Sequence, residues 1–186
     1  MRESITLLTL ATILGVAVCM DLKSNRISNI LIATGLAAGL ALAGSGGWQA
    51  LAMAAAGVAT GLILFLPAYA LAAMGAGDVK LMAVVGAFLG PMDTVIAAIA
   101  TVIIGGVLGL LLVIGRGGGA ATLSRYWLML RCLCATGRFA YITPAANEAA
   151  ATEMPYAVAI ACGTGWSLWR ADALSGFSAA ALTLPS

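Results

Sequence analysis

The chain alternates long apolar runs with short polar stretches along most of its length. A helix needs about 20 mostly apolar residues to cross a lipid bilayer. The apolar runs predict six transmembrane helices, over residues 4–20, 30–45, 49–73, 79–90, 94–114 and 153–170. The run over 79–90 is short for a crossing, and it needs polar flanking residues or a locally thinner bilayer.

The connections between these runs are brief, with one long exception over residues 115–152. Its first residues are glycine-rich, and residues 120–134 mix leucines and aromatic side chains with arginines. Such a mixture is typical of a helix that lies in the membrane interface, and a loosely ordered basic loop is the alternative. We find no repeat and no soluble second domain, so we expect a single domain over residues 1–186.

The composition predicts an all-α, polytopic membrane protein. Hydrophobic residues make up 62% of the chain and charged residues 9%, far from the balance of a soluble globular domain. The chain has no histidine, and its four cysteines include no Cys-x-x-Cys pair, so we expect neither a metal nor a cofactor. The spacing of Gly35 with Gly39, and of Gly57 with Gly61, is one that lets helices approach closely.

The basic residues predict the orientation of the chain in the membrane. Seven of the nine lysines and arginines fall in the stretches 21–29, 74–80 and 115–152. Positively charged loops stay on the cytoplasmic side, so these three stretches are predicted to be cytoplasmic and both termini to lie outside. This topology puts Asp21 and Asp78 on the same, cytoplasmic face.

These two aspartates stand at the ends of apolar runs in a chain with few other acids. Asp21 follows the first run, and Asp78 begins the fourth within the sequence Gly75-Ala76-Gly77-Asp78. A carboxylate near the membrane interior is costly, so its presence indicates a function and a nearby partner. We expect each aspartate to be the partner of the other.

A pair of carboxylates can hydrolyse a peptide bond with water. The ionised one takes a proton from the water, and the protonated one polarises the carbonyl and later donates to the leaving amine. Helix dipoles favour an anion at a helix start, where Asp78 lies, and disfavour one at a helix end, where Asp21 lies. We therefore predict Asp78 as the base and Asp21 as the acid, although Lys23 and Arg26 oppose this assignment.

Neighbouring residues are predicted to support the pair. Gly75 and Gly77 would let an extended substrate backbone approach, because glycine adds no side chain and permits positive φ. Lys80 would pair with a carboxylate or a lipid phosphate, or else extend its charged end to the membrane surface. Arg26 and Asn29 would tie together the loop that follows Asp21.

Three motifs resemble those of type IV prepilin peptidases, which are integral-membrane aspartic proteases. Residues 75–81, Gly-Ala-Gly-Asp-Val-Lys-Leu, resemble the GxGDxKL signature of that family. Residues 21–29 resemble its first aspartate motif, with Ser28 where proline is common. Met154-Pro155-Tyr156 is similar to the motif of its last helix, which adds Pro155 and Tyr156 to the supporting residues.

The resemblance implies an endopeptidase that removes the leader from Flp-like type IV prepilins and pseudopilins at the cytoplasmic face of the bacterial inner membrane. Its expected partners are these precursors, membrane lipid and the pilus assembly machinery, and no nucleic acid. Larger family members carry a tetracysteine segment and methylate the new N-terminus. The chain lacks that segment, so it resembles the small, peptidase-only members of tight-adherence pilus systems. Archaeal preflagellin peptidases share the design.

Two other classes of function stay open from the sequence. In a transporter or channel component, Asp21 and Asp78 would form a proton or cation relay. In a scaffold subunit, neither aspartate would matter. Leader removal that is lost on either Asp→Asn substitution would distinguish the peptidase from both.

Overall fold

The computed structural model describes residues 2–71, 74–115, 127, 128, 131, 132 and 155–181. Five helices have described bounds: α1 Arg2–Ser24, α2 Asn29–Gly44, α3 Trp48–Ala70, α4 Ala76–Gly115 and α5 Tyr156–Ala181. No β-strand occurs over the described ranges, so the all-α prediction is confirmed for them. The predicted interfacial helix over 120–134 and Met154 of the last-helix motif lie mostly or wholly outside the described residues.

The prediction of six separate helices is not confirmed, because the runs over 79–90 and 94–114 form two helical segments of α4 that meet directly at Gly90, without a loop between them. Within α4, Gly90 has φ 74° and ψ 179°, values that lie outside the helical region. Glycine accepts this positive φ without the clash that a Cβ atom would cause, and Pro91 follows it directly. A break one residue long therefore replaces the predicted loop.

The chain direction reverses at this break. The Asp21 end of α1 contacts the start of α5, and farther along α5 Gly163 packs against Thr101. One turn later, the Ser167 hydroxyl donates to the carbonyl oxygen of Asp93 at 2.9 Å. From the start of α5 onward, its contacts thus move backwards along α4, so residues 93–101 of α4 run back toward the end of the bundle that holds Asp21.

The first half of α4 is the centre of the bundle, since all seven residues from 81 to 87 are buried. Both predicted glycine pairs of α2 and α3 face it. A Cβ atom added to Gly35 would lie 2.8 Å from Val84 Cγ1, and one added to Gly61 would lie 2.6 Å from the Met82 carbonyl oxygen. Glycine at these positions therefore lets α2 and α3 pack closely against the first half of α4, which carries Asp78.

Among the residues that the structure describes, three helices are long and apolar enough to cross a membrane by length and composition: Arg2–Ser24, Trp48–Ala70 and Ala76–Leu112. The apolar helix Asn29–Gly44 is shorter. Large apolar side chains such as Leu8, Ile63 and Ile103 point away from the bundle and are more than 60% exposed. An outward-facing apolar surface of this kind suits contact with lipid, as expected for an integral membrane protein.

Candidate active site

Asp21 lies in the last turn of α1 and is only 5% exposed. It continues the buried face of α1, which includes Leu10, Leu14 and Ala17. Its Oδ2 atom accepts a hydrogen bond of 2.9 Å from the backbone N–H of Ala157, in the first turn of α5. The first N–H groups of a helix have no partner within that helix, so the start of α5 supplies a donor that a buried carboxylate needs.

Asp78 lies in the first turn of α4 and is half-buried. Its Oδ2 atom accepts a hydrogen bond of 3.2 Å from the backbone N–H of Gly75, three residues earlier. A Cβ atom at Gly75 would approach this same oxygen to 3.1 Å, which is tighter than most real contacts. Glycine at position 75 therefore keeps room for the carboxylate beside the backbone.

The fold brings the two aspartates together. The carboxyl groups of Asp21 and Asp78 are close enough to interact electrostatically. The phenol of Tyr156, at the start of α5, lies within electrostatic range of Asp78 as well. Two carboxylates so arranged repel each other when both are ionised. Such a pair can both accept and donate a proton.

Helix dipoles do not by themselves separate the acid from the base in this arrangement, so the assignment of Asp78 as base and Asp21 as acid stays a prediction. The sequence placed Asp78 at a helix start and Asp21 at a helix end, and both positions are as predicted. However, Asp21 also faces the N-terminal turn of α5 through Ala157. Both carboxylates therefore lie beside a helix N-terminus, and the dipoles no longer distinguish them.

Gly75 and Gly77 differ from the prediction in one respect. The described glycines with positive φ are Gly47 and Gly90, so neither Gly75 nor Gly77 uses the conformational freedom expected of it. Gly77 instead packs against Ile27, whose Cβ would lie 3.3 Å from a Cβ atom at position 77. Both glycines thus have a packing role within the chain, and their predicted role in substrate approach stays a prediction.

Lys80 contacts a partner that the sequence did not indicate. Its Nζ atom donates to the side-chain oxygen of Asn29 at 2.9 Å, rather than to a carboxylate. Arg26 is exposed, and its carbonyl oxygen accepts a bond of 3.4 Å from the Ser24 hydroxyl. Ser28 caps α2 by accepting from the backbone N–H of Ile30 at 3.2 Å. The loop that follows Asp21 is therefore tied to its surroundings at several points.

Sequence reasoning missed the backbone N–H of Ala157. The available signal was Pro155, which directly precedes α5 and marks a helix start, where unpaired N–H groups lie. It also missed an ion pair: the Asp93 carboxylate lies 3.6 Å from the guanidinium of Arg170. Arg170 lies near the middle of α5, several turns from Ala157 and Asp21, so the pair does not belong to the candidate site.

The described part of the chain has no group of three or more His, Cys, Asp or Glu side chains that could hold a metal ion. Two carboxyl groups held by backbone N–H donors, with a tyrosine nearby, are the chemical groups of the site.

Comparison with protein families gives one finding. The model of the type IV leader peptidase family matches residues 8–110. The match covers more than half of the chain and includes both Asp21 and Asp78, while α5 lies beyond it. Neither the comparison with curated proteins nor that with solved structures gives a match.

Proposed function

Since the chain belongs to the type IV leader peptidase family, and is therefore a peptidase, we propose that Asp21 and Asp78 are its catalytic pair. The proposed reaction is aspartic-type hydrolysis of one peptide bond in a prepilin or pseudopilin precursor. The observation that carries the proposal is that a chain with few acids brings two carboxyl groups within range of electrostatic interaction.

In the proposed reaction, one carboxylate is ionised and the other carries a proton. The ionised one takes a proton from a water molecule, whose oxygen attacks the scissile carbonyl carbon. The protonated carboxyl donates a hydrogen bond to the carbonyl oxygen, which stabilises the tetrahedral intermediate. A proton then passes to the amide nitrogen, the C–N bond breaks, and the pair is left with one proton, as at the start.

The backbone contacts of the pair support this reaction. One oxygen of Asp21 is held by Ala157 N–H and one oxygen of Asp78 by Gly75 N–H. The second oxygen of each carboxylate then remains to contact the water. Fixing both side chains before the substrate arrives reduces the reorganisation needed in the transition state.

We further propose that the chain crosses the membrane six times, with both termini outside and the catalytic pair at the cytoplasmic face. The reversal at Gly90 supports this number, because it lets α4 contribute two crossings. A contact at the other end of α1 also supports this topology. The Arg2 guanidinium donates to the Leu42 carbonyl oxygen at 2.7 Å, which joins the start of α1 to the end of α2 that is remote from Asn29.

The proposed substrates are precursors of the Flp type, cut between a basic leader and an apolar helix. An apolar substrate helix would remain in lipid beside the bundle while the cleavage site reaches the cytoplasmic face. The four cysteines include no Cys-x-x-Cys pair, which supports a peptidase without methyltransferase activity. The bacterial inner membrane is the proposed location.

Co-expression with a candidate Flp-type prepilin tests the proposal. The wild type should remove the leader, and Asp21→Asn and Asp78→Asn should each abolish removal, since members of one catalytic unit are not additive. Asp93→Asn is the matched control: it removes an acid of the ion pair with Arg170 and should leave processing intact. Membrane levels of each variant show that the chain has folded, and processing that survives either catalytic substitution refutes the mechanism.

A further inference from the structure

A short segment that follows Asp21 in the sequence contacts the helix that carries Asp78, and nearly every one of its residues makes a contact. We call residues 25–29 the strap. At its start, Asn25 has φ 48° and its N–H donates to the Asp21 carbonyl oxygen at 2.8 Å. This left-handed residue closes the last turn of α1, and asparagine tolerates that conformation better than most residues. The strap therefore leaves the end of α1, where Asp21 lies, in a fixed direction.

The other end of the strap contacts the helix that carries Asp78. Ile27 packs against Gly77, and Asn29 accepts a hydrogen bond of 2.9 Å from Lys80. Residues three apart on a helix lie on one face, so positions 77 and 80 present a common surface to the strap. One contact thus lies before Asp78 in the sequence and the other after it.

The position of Lys80 is not explained by helix stability. Lys80 lies in the second turn of α4, and its Nζ atom contacts Asn29, the first residue of α2. Two helix N-termini therefore surround a positive charge, and the dipoles disfavour a cation at each of them. Because the local electrostatics disfavour a lysine at this position, we expect the hydrogen bond between Lys80 and Asn29 to serve another purpose than helix stability.

We propose that the strap sets the separation between the carboxylates of Asp21 and Asp78, and that Lys80 and Asn29 are positioning residues for the hydrolysis. The inference rests on the proposed function, since it assumes that both aspartates act on one water. With the Lys80–Asn29 bond formed, α2 is fixed to the first turns of α4, and the strap holds the end of α1 beside Asp78. Without it, the two helix ends can move relative to each other.

A double-mutant cycle on purified full-length protein tests this coupling, with cleavage of a prepilin measured as kcat and KM. Lys80→Met and Asn29→Leu should each lower kcat by about 10–100-fold and change KM little, because a misplacement of about 1 Å is enough for such a loss. The double variant should be no worse than the poorer single variant, since both remove the same bond. Lys80→Arg should recover most of kcat, because arginine still donates to Asn29.

Gln49→Leu is the control, because it replaces an exposed polar side chain in the first turn of α3 without touching the strap contact. It should leave kcat within about 3-fold of the wild type. Additive losses in the cycle, an effect on KM alone, or an equal loss in the Gln49 control would overturn the inference.

A distance measurement separates this inference from the proposed function. Spin labels would be attached at Leu22→Cys and Ala76→Cys, both exposed, in a chain whose four native cysteines are replaced by serine. The distance distribution should be narrow with Lys80 present and should broaden or shift with Lys80→Met. An unchanged distribution overturns the positioning role. If the distribution broadens with Lys80→Met but the wild type cleaves no prepilin, the positioning role of the strap is supported and the proposed peptidase mechanism is rejected.

Discussion

The Asp21 carboxylate accepts its hydrogen bond from the backbone N–H of Ala157, which lies 136 residues farther along the chain. This bond joins the end of α1 to the start of α5, so the last helix takes part in building the site although it lies beyond the region that matches the family model. A hydrogen bond to a buried charged group contributes about 1.5–3 kcal/mol. The orientation of Asp21 therefore depends on where α5 begins.

Removing this N–H tests that dependence. Ala157→Pro deletes the donor, and proline is tolerated in the first turn of a helix because its N–H has no helical partner there. We expect cleavage to fall about 10–100-fold, the factor that corresponds to loss of such a bond. Initial rates on a purified prepilin measure the effect.

Val158→Pro is the matched control for that variant. It puts the same ring into the same turn but keeps the Ala157 N–H, and it disturbs only a long bond of 3.4 Å to the Pro155 carbonyl oxygen. We expect it to retain more activity than Ala157→Pro by at least about 5-fold, given the strength of the bond retained. Equal losses in the two variants would contradict a specific role for the Ala157 donor.

The length of the two acidic side chains gives a second prediction. Asp21→Glu and Asp78→Glu keep the charge but displace the carboxylate by one methylene, roughly 1.5 Å, from the position at which the proposed mechanism has both acids contact one water. Such a displacement can cost about 100-fold in rate, so we expect each variant to be nearly inactive. Asp93→Glu, at the ion pair with Arg170, should cleave normally; retention of more than half the activity by either catalytic glutamate would be incompatible with a shared water.

The sequence revealed the acids of the site more readily than their hydrogen-bond donors. Asp21 and Asp78 could be singled out because an acid at the end of an apolar run is costly and rare. The contact of Asp21 with Ala157, and that of Lys80 with Asn29, link residues 136 and 51 positions apart. Such contacts depend on which helices are neighbours, and apolar periodicity does not specify this for helices that face lipid.

The helices themselves were predictable because a membrane accepts few other structures. Their number was not, since the single residue Gly90 interrupts α4 where a loop was expected. The end of α1 was also misjudged: the helix continues through Asp21 to Ser24. Polar residues near the membrane surface can continue a helix, so the end of an apolar run does not fix the helix end.

The glycines that face the centre of the bundle give a third prediction. Gly61→Ala would put a Cβ atom 2.6 Å from the Met82 carbonyl oxygen, so α3 and α4 would have to separate. Overpacking of this kind costs about 1–3 kcal/mol, and we expect a lower thermal midpoint in detergent. Gly15→Ala is the control: nothing lies within 4 Å of the added atom, and alanine is the better helix former by about 1 kcal/mol. The prediction fails if the two substitutions have the same effect.

The reversal of α4 gives the last prediction, which concerns topology. If α4 turns back at Gly90, then Met92, which is 73% exposed, lies outside the membrane on the same side as Trp48, which is 79% exposed. Leu22 and Ala76 should lie on the opposite, cytoplasmic side. Single cysteines at these four positions, in a chain without its native cysteines, can be probed with a maleimide that does not cross membranes.

In intact spheroplasts, we expect labelling at positions 48 and 92, and at 22 and 76 only after the membrane is opened. Position 92 is decisive, because a helix that crosses the bilayer once without turning would bury it among lipid tails. Protection of position 92 in both conditions would therefore contradict the six-crossing topology. Labelling of position 22 from outside would reverse the orientation and place the aspartates on the wrong face for cytoplasmic leader removal.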